Sequence, residues 1–202
     1  MPQKKLLFIV FLVVFIDLLG FGMVLPLMPV YAKQFTSEMG QQQQVLILSS
    51  LMTSFSIMQL VFAPVWGRIS DRWGRRPVLL LSLCGSTFFY FLFGMATLKG
   101  NLVWMFVSRI GAGMAGATVP AAQACIADAT PPDKRARGMA LIGAAFGLGF
   151  TLGPLLGAIA LVGSGDTGLS PWPGYTAAAF SALALVLAIV LLPESLNCRA
   201  IP

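Results

Sequence analysis

The sequence predicts an all-α, polytopic membrane protein with six transmembrane helices, and three observations carry that prediction. Of 202 residues, 57% are hydrophobic and only 10% are charged, whereas a soluble domain carries about 25% charged residues. The apolar residues fall into runs long enough for the roughly 20 residues that a bilayer span needs. The basic residues gather in alternate connections between those runs, as the positive-inside rule describes.

The first run covers residues 6–32. Lys4 and Lys5 ahead of Leu6 suggest a signal peptide, but no small-residue cleavage site follows and the apolar stretch resumes after Asp17. Further spans are predicted at 44–66, 77–98, 102–124, 138–162 and 173–193. With the N-terminus inside, ten basic residues fall on the inner side: Lys4, Lys5, Arg68, Arg72, Arg75, Arg76, Lys134, Arg135, Arg137 and Arg199. Only Lys33 and Lys99 fall outside, so both termini are expected in the cytoplasm and the protein in the cell (inner) membrane. The outer connections, including Gln41–Gln44 and the Gly/Ser/Pro-rich stretch 163–173, read as plain solvated links. No soluble domain is visible, so residues 1–202 form one membrane domain.

This placement of charge also excludes functions. The net charge of +6 is confined to short connections, which points to membrane orientation and not to nucleic-acid binding. Cys84, Cys125 and Cys198 lie far apart and suggest neither disulfides nor a metal site. The chain has no histidine, which removes imidazole catalysis and imidazole metal ligands and leaves carboxylates for proton work near neutral pH. Neither an enzyme, a metal site nor an organic cofactor is expected, and the proton is the expected coupling ion.

The charged stretch from Gly67 to Arg76 reads as a loop between the second and third spans. Glycines Gly67 and Gly74 stand near its ends, Arg68, Arg72, Arg75 and Arg76 suit anionic headgroups, and Asp71 is the one carboxylate among them. Pro77 is placed to start the next helix, where no backbone donor is needed. A basic topogenic loop needs only the positive charges and leaves the order Gly-x-x-x-Asp-Arg-x-Gly-Arg-Arg unexplained. Gly149, Gly153 and Gly157 recur every four residues on the fifth span, a face that admits a neighbouring backbone, and Pro154 is expected to kink the helix beside it. Packing alone is the competing account of that face.

Asp17 and Arg109 are charges inside spans. Asp17 lies roughly 17 Å along the axis from Leu6, near the midplane of a ~30 Å core, and a carboxylate there costs about 2.5–3.5 kcal/mol. It is therefore expected to be paired or to face a cavity, either for reversible protonation or as a structural partner. Arg109 lies about 10 Å into the fourth span from the other side, at a similar depth. An ion pair or a shared water-filled cavity between the first and fourth spans is feasible, with a purely structural pairing of Arg109 as the alternative. Gln59, Gln123 and Phe55 are weaker pathway candidates that equally suit interhelical or lipid-facing packing. Asp128 is expected to pair with Arg75 or Arg137 near the inner surface.

The Gly67–Arg76 order resembles the signature between the second and third helices of the major facilitator superfamily. Leu19, Gly20, Pro26 and Pro29 are similar to its first-helix motif. Arg109 with Gly111, Gly113 and Gly116 resembles the fourth-helix motif, and Ala127, Asp128, Arg135, Arg137 and Gly138 resemble the exit from that helix. Gly149, Gly153, Pro154 and Gly157 resemble the fifth-helix antiporter motif, with Ala158 where a second glycine is common. The likeness is strongest to the tetracycline-resistance type of drug/proton antiporter. It implies half of a major facilitator fold, built as two inverted three-helix repeats with the first and fourth helices lining the path. It also implies a cytoplasmic gate at Gly67, Asp71, Arg72, Gly74, Arg75, Arg76, Asp128 and Arg137, and a direction-setting seam on the fifth helix.

The function expected is transmembrane transport as part of a proton-coupled exporter of drugs or other amphipathic small molecules. The expected partners are the lipid bilayer, a small-molecule substrate, and a second six-helix half or a second copy. The alternative is a truncated, transport-inactive membrane protein that only associates with other helices.

Overall fold

The computed structural model describes residues 3–162 and 170–192. Arg199, Cys198 and most of the 163–173 connection lie outside the described residues. Six helical spans are long and apolar enough to cross a membrane, as the sequence predicts. Their ends and continuity differ from the expectation in three places.

The first span is two helices, α1 (Gln3–Val24) and α2 (Met28–Phe35), joined by a 3-10 turn at Leu25–Leu27. Pro26 supplies no backbone donor, which breaks the α-helical ladder there. The second span, α3 (Gln41–Trp73), runs 33 residues, or about 50 Å at 1.5 Å per residue, well beyond a ~30 Å core. Its last two turns absorb the charged stretch read as a loop. Arg, Asp and Trp carry no helix-breaking geometry, so the helix persists until Gly74, whose φ of 109° suits a residue without Cβ. The link is thus one residue long, and α4 (Arg75–Leu98) follows with Pro77 in its first turn.

The fourth span is also broken. Asn101 caps α5 (Leu102–Ala115) by accepting the Val103 and Trp104 amides at 2.9 and 3.3 Å. The chain leaves helical geometry at Gly116 and Ala117 and resumes as α6 (Thr118–Ala129). Ser82 on α4 stitches this gap: its hydroxyl donates to Ala115 O at 2.6 Å and accepts the Ala117 amide at 3.0 Å. Backbone groups freed inside a bilayer need such partners. The fifth span, α7 (Arg135–Val162), continues through Pro154, and the sixth is α8 (Trp172–Leu191).

Two apolar clusters hold the bundle: one joins α1 to α4, α6, α7 and α8, and the other joins the end of α1 and α2 to α3, α4, α5 and α8. The glycine face of α7 meets α1 at backbone distance, as its spacing predicts. A Cβ on Gly153 would lie 2.6 Å from Gly22 C, and one on Gly149 would lie 2.8 Å from Leu18 Cβ. Gly22 answers from α1, where a Cβ would meet Gly149 O at 2.5 Å. By contrast, α3 fully buries only Leu51 and Ser70.

Candidate functional site

Asp17 stands on the inward side of α1 with only 9% of its surface exposed. It borders a cavity of about 280 Å³ whose walls include Phe21, Phe55, Gln59, Ser86, Tyr90 and Thr118. The Ser181 hydroxyl, on α8, donates to Asp17 Oδ1 at 2.7 Å. The Ser86 and Thr118 hydroxyls, on α4 and α6, stand in the same cavity wall. Thr118 Oγ1 is also 2.7 Å from Ser82 Oγ, which links the carboxylate's surroundings to the break in the fourth span. A buried carboxylate is thereby held by the neutral hydroxyl of Ser181, with two further hydroxyls beside it in the cavity wall.

Arg109, 3% exposed, is solvated differently. Its guanidinium carbon lies 4.9 Å from the Phe93 ring centroid and 5.8 Å from that of Tyr90, a cation–π arrangement worth about 2 kcal/mol when desolvated. Its Nε and Nη2 have no hydrogen-bond partner. The feasible ion pair between Asp17 and Arg109 is not formed: among the described residues the ion pairs are Arg75 with Asp71 and Arg75 with Asp128. Ser181 meets the carboxylate instead, and Arg109 does not line the cavity that Asp17 borders. Tyr90 adjoins both, through that cavity and through the guanidinium.

The weaker candidates divide. Gln59 and Phe55 line the cavity, and Gln59 Nε2 lies 3.5 Å from Gly116 O at the break. Gln123 does not line this cavity and is exposed on α6.

At the basic end, Arg75 is the hub. Its Nε donates to Asp128 Oδ2 at 3.0 Å, and its Nη1 reaches Asp71 Oδ1 at 2.8 Å and donates to Ser70 Oγ at 3.0 Å. Of the two partners considered for Asp128, the structure selects Arg75. This cluster ties α3, α4 and α6 together. The Asp71 side chain is 66% exposed, against 12% for Arg75. Arg76 Nη2 donates to Ile189 O at 2.8 Å near the end of α8. Arg72 and Arg137 are exposed, and nothing lies within 4 Å of a Cβ built on Gly67.

Sequence reasoning missed Ser82, Ser86, Tyr90, Thr118 and Ser181. For Ser181 a signal exists: Ala177, Ala184 and Ala188 share its face of α8 at helical spacing, all fully buried. Ser181 is the one hydroxyl in that alanine stripe.

Comparison with known proteins follows the same lines. The family model described as Major Facilitator Superfamily matches residues 10–197. The chain is 37% identical over 190 residues to "Tetracycline resistance protein, class E" of Escherichia coli, covering 94% of this chain and 44% of that protein. It superposes with a TM-score of 0.78 and 32% identity on the crystal structure of the human organic anion transporter MFSD10 (TETRAN), covering 96% of this chain and 49% of that one. The proton:xylose symporter XylE gives the same TM-score at 18% identity, a likeness of fold. The chain thus spans about half the length of the proteins it matches.

Proposed function

The chain belongs to the major facilitator superfamily, and from that premise we propose that it serves transmembrane transport as one six-helix half of a proton-coupled exporter of drugs or other amphipathic small molecules. A second six-helix bundle, either a separate half or a second copy, completes the path. The proton is the coupling ion, and the termini face the cytoplasm.

The observation that carries this reading is Asp17, a carboxylate near the middle of its span, buried at the wall of a cavity and held by the Ser181 hydroxyl without an opposing cation. Intramembrane carboxylates in such positions mark proton relays. The cavity, at about 280 Å³, falls just short of the ~300–1,000 Å³ of small-molecule pockets. That size suits one wall of a larger site between two bundles. Phe21, Phe55 and Gln59 give it the apolar and amide surface that an amphipathic substrate needs. Arg75, tied to Asp71 and Asp128, forms this half's side of a cytoplasmic gate. The relatives named for tetracycline resistance and for organic anion transport support the substrate class.

The test is proton flux driven by tetracycline in vesicles carrying the chain together with a second six-helix half. Asp17→Asn is expected to abolish the coupled flux while leaving the protein in the membrane. Unchanged flux in Asp17→Asn would refute the assignment.

A further inference from the structure

We propose that Ser181 is a positioning residue for Asp17: its hydroxyl turns the carboxyl toward α8 and so keeps it apart from Arg109 in this conformation. The inference rests on the reading of Asp17 as the proton-carrying group, and deepens it by naming what orients that group.

Three observations support it independently of any titration. First, Ser181 is fully buried, and its hydroxyl crosses between helices to reach Asp17 Oδ1 at 2.7 Å. Serine and threonine hydroxyls within helices usually return to a carbonyl three or four residues back. Ser50, Thr87, Thr97, Ser108, Thr151 and Thr176 do so here. Ser181 gives up that local bond for the carboxylate.

Second, the face of α8 that packs on α1 needs only small residues. Ala177, Ala184 and Ala188 fill it, and a Cβ on Gly20 would already lie 3.0 Å from Ala177 O. Alanine at 181 would pack equally well, so the hydroxyl answers to the carboxylate and not to volume. Third, Tyr90 on α4 shares the cavity wall with Asp17, and Arg109 on α5 lies behind it against the Tyr90 ring. From α8 the Ser181 hydroxyl reaches the carboxyl, and no ion pair with Arg109 forms.

Infrared difference spectroscopy of the full 202-residue chain in lipid nanodiscs, stepped in pH, tests the assignment. The carboxylic C=O band lost in Asp17→Asn identifies Asp17. In Ser181→Ala that band is expected to move to higher wavenumber, because its oxygen loses a donor. In Ser181→Cys, whose thiol is a weak donor, the shift is expected to be smaller. Circular dichroism verifies that the helices persist in each variant. A band unmoved in Ser181→Ala overturns the positioning role while leaving Asp17 as the titrating group. Absence of any pH-dependent band sensitive to Asp17→Asn overturns the proton reading itself, and this inference with it.

Discussion

The glycine face of α7 makes a prediction in which one substitution has opposite effects a few turns apart on one helix. Replacing Gly153 with alanine puts a Cβ 2.6 Å from Gly22 C and 2.7 Å from Gly22 Cα, both backbone atoms that cannot rotate away. Restoring the 3.5–4.0 Å optimum of carbon contacts requires α1 and α7 to part by about 1 Å. Overpacking of this kind costs about 1–3 kcal/mol. For a chain of this size, where 1 kcal/mol is about 2–4 °C, the melting temperature should fall by roughly 2–12 °C. Gly143 sits on the same helix with nothing within 4 Å of its Cβ position. Gly143→Ala should therefore be neutral or raise the melting temperature by up to about 4 °C, through helix propensity of about 1 kcal/mol. Gly149→Ala and Gly157→Ala should fall between them, since their closest approaches are 2.8 and 3.0 Å. Thermal unfolding of the four variants in one detergent, followed by circular dichroism, gives the order. Equal effects of Gly153→Ala and Gly143→Ala would refute the backbone-contact account of the seam.

Two further outcomes follow from the hydrogen bonds and ion pairs. Ser82→Ala leaves the Ala117 amide and the Ala115 carbonyl at the break in the fourth span with only their bond to each other, a loss of about 0.5–1.5 kcal/mol per hydrogen bond removed. Hydrogen exchange at Ala117 should accelerate in that variant, and an unchanged rate would show that Ser82 does not support the break. At the basic end, Asp128→Asn should lower the melting temperature more than Asp71→Asn, because the Asp128 side chain is 22% exposed and that of Asp71 66%. Each effect should stay within about 1 kcal/mol and shrink in high salt; the reverse order would sink the reading of Arg75 as anchored chiefly on Asp128.

The six spans were legible because a bilayer demands long apolar runs, and hydropathy reports those directly. The glycine seam was legible because its period is that of a helix face. The end of α3 was not, since the charged stretch looked like a solvated loop although only Gly74 departs from helical geometry. The breaks at Leu25–Leu27 and Gly116–Ala117 were hidden for the opposite reason: the apolar runs continue across them, and only Pro26 and Gly116 mark the sites. Asp17 was legible as a charge in an apolar run, but its surroundings were not. Opposite charge made Arg109 the obvious partner, while the hydroxyls of Ser86, Thr118 and Ser181 carry no long-range signal in a sequence. Only side-chain placement reveals that Ser181 bonds the carboxylate while Ser86 and Thr118 share its cavity wall.

The two breaks give the buried charges a common logic. The interval from Asp17 to Arg109 is 92 residues, the same as the interval from Leu25 to Ala117. Each charge thus precedes the discontinuity of its own span by about two helical turns, in the two spans that inverted three-helix repeats make equivalent. Equivalent positions, one acidic and one basic, do not neutralise each other here. The carboxylate is met by the Ser181 hydroxyl and the guanidinium by aromatic faces, with Arg109 Nε and Nη2 left unbonded. Burying a charge without a hydrogen-bonded counter-charge costs several kcal/mol. Stability does not require that cost, because the glycine contacts between α1 and α7 and the alanine stripe of α8 already hold the bundle. Asp17 bonds Ser181 within the alanine stripe of α8, so the acidic group of α1 sits against the close-packed seam and borders the cavity at the same time.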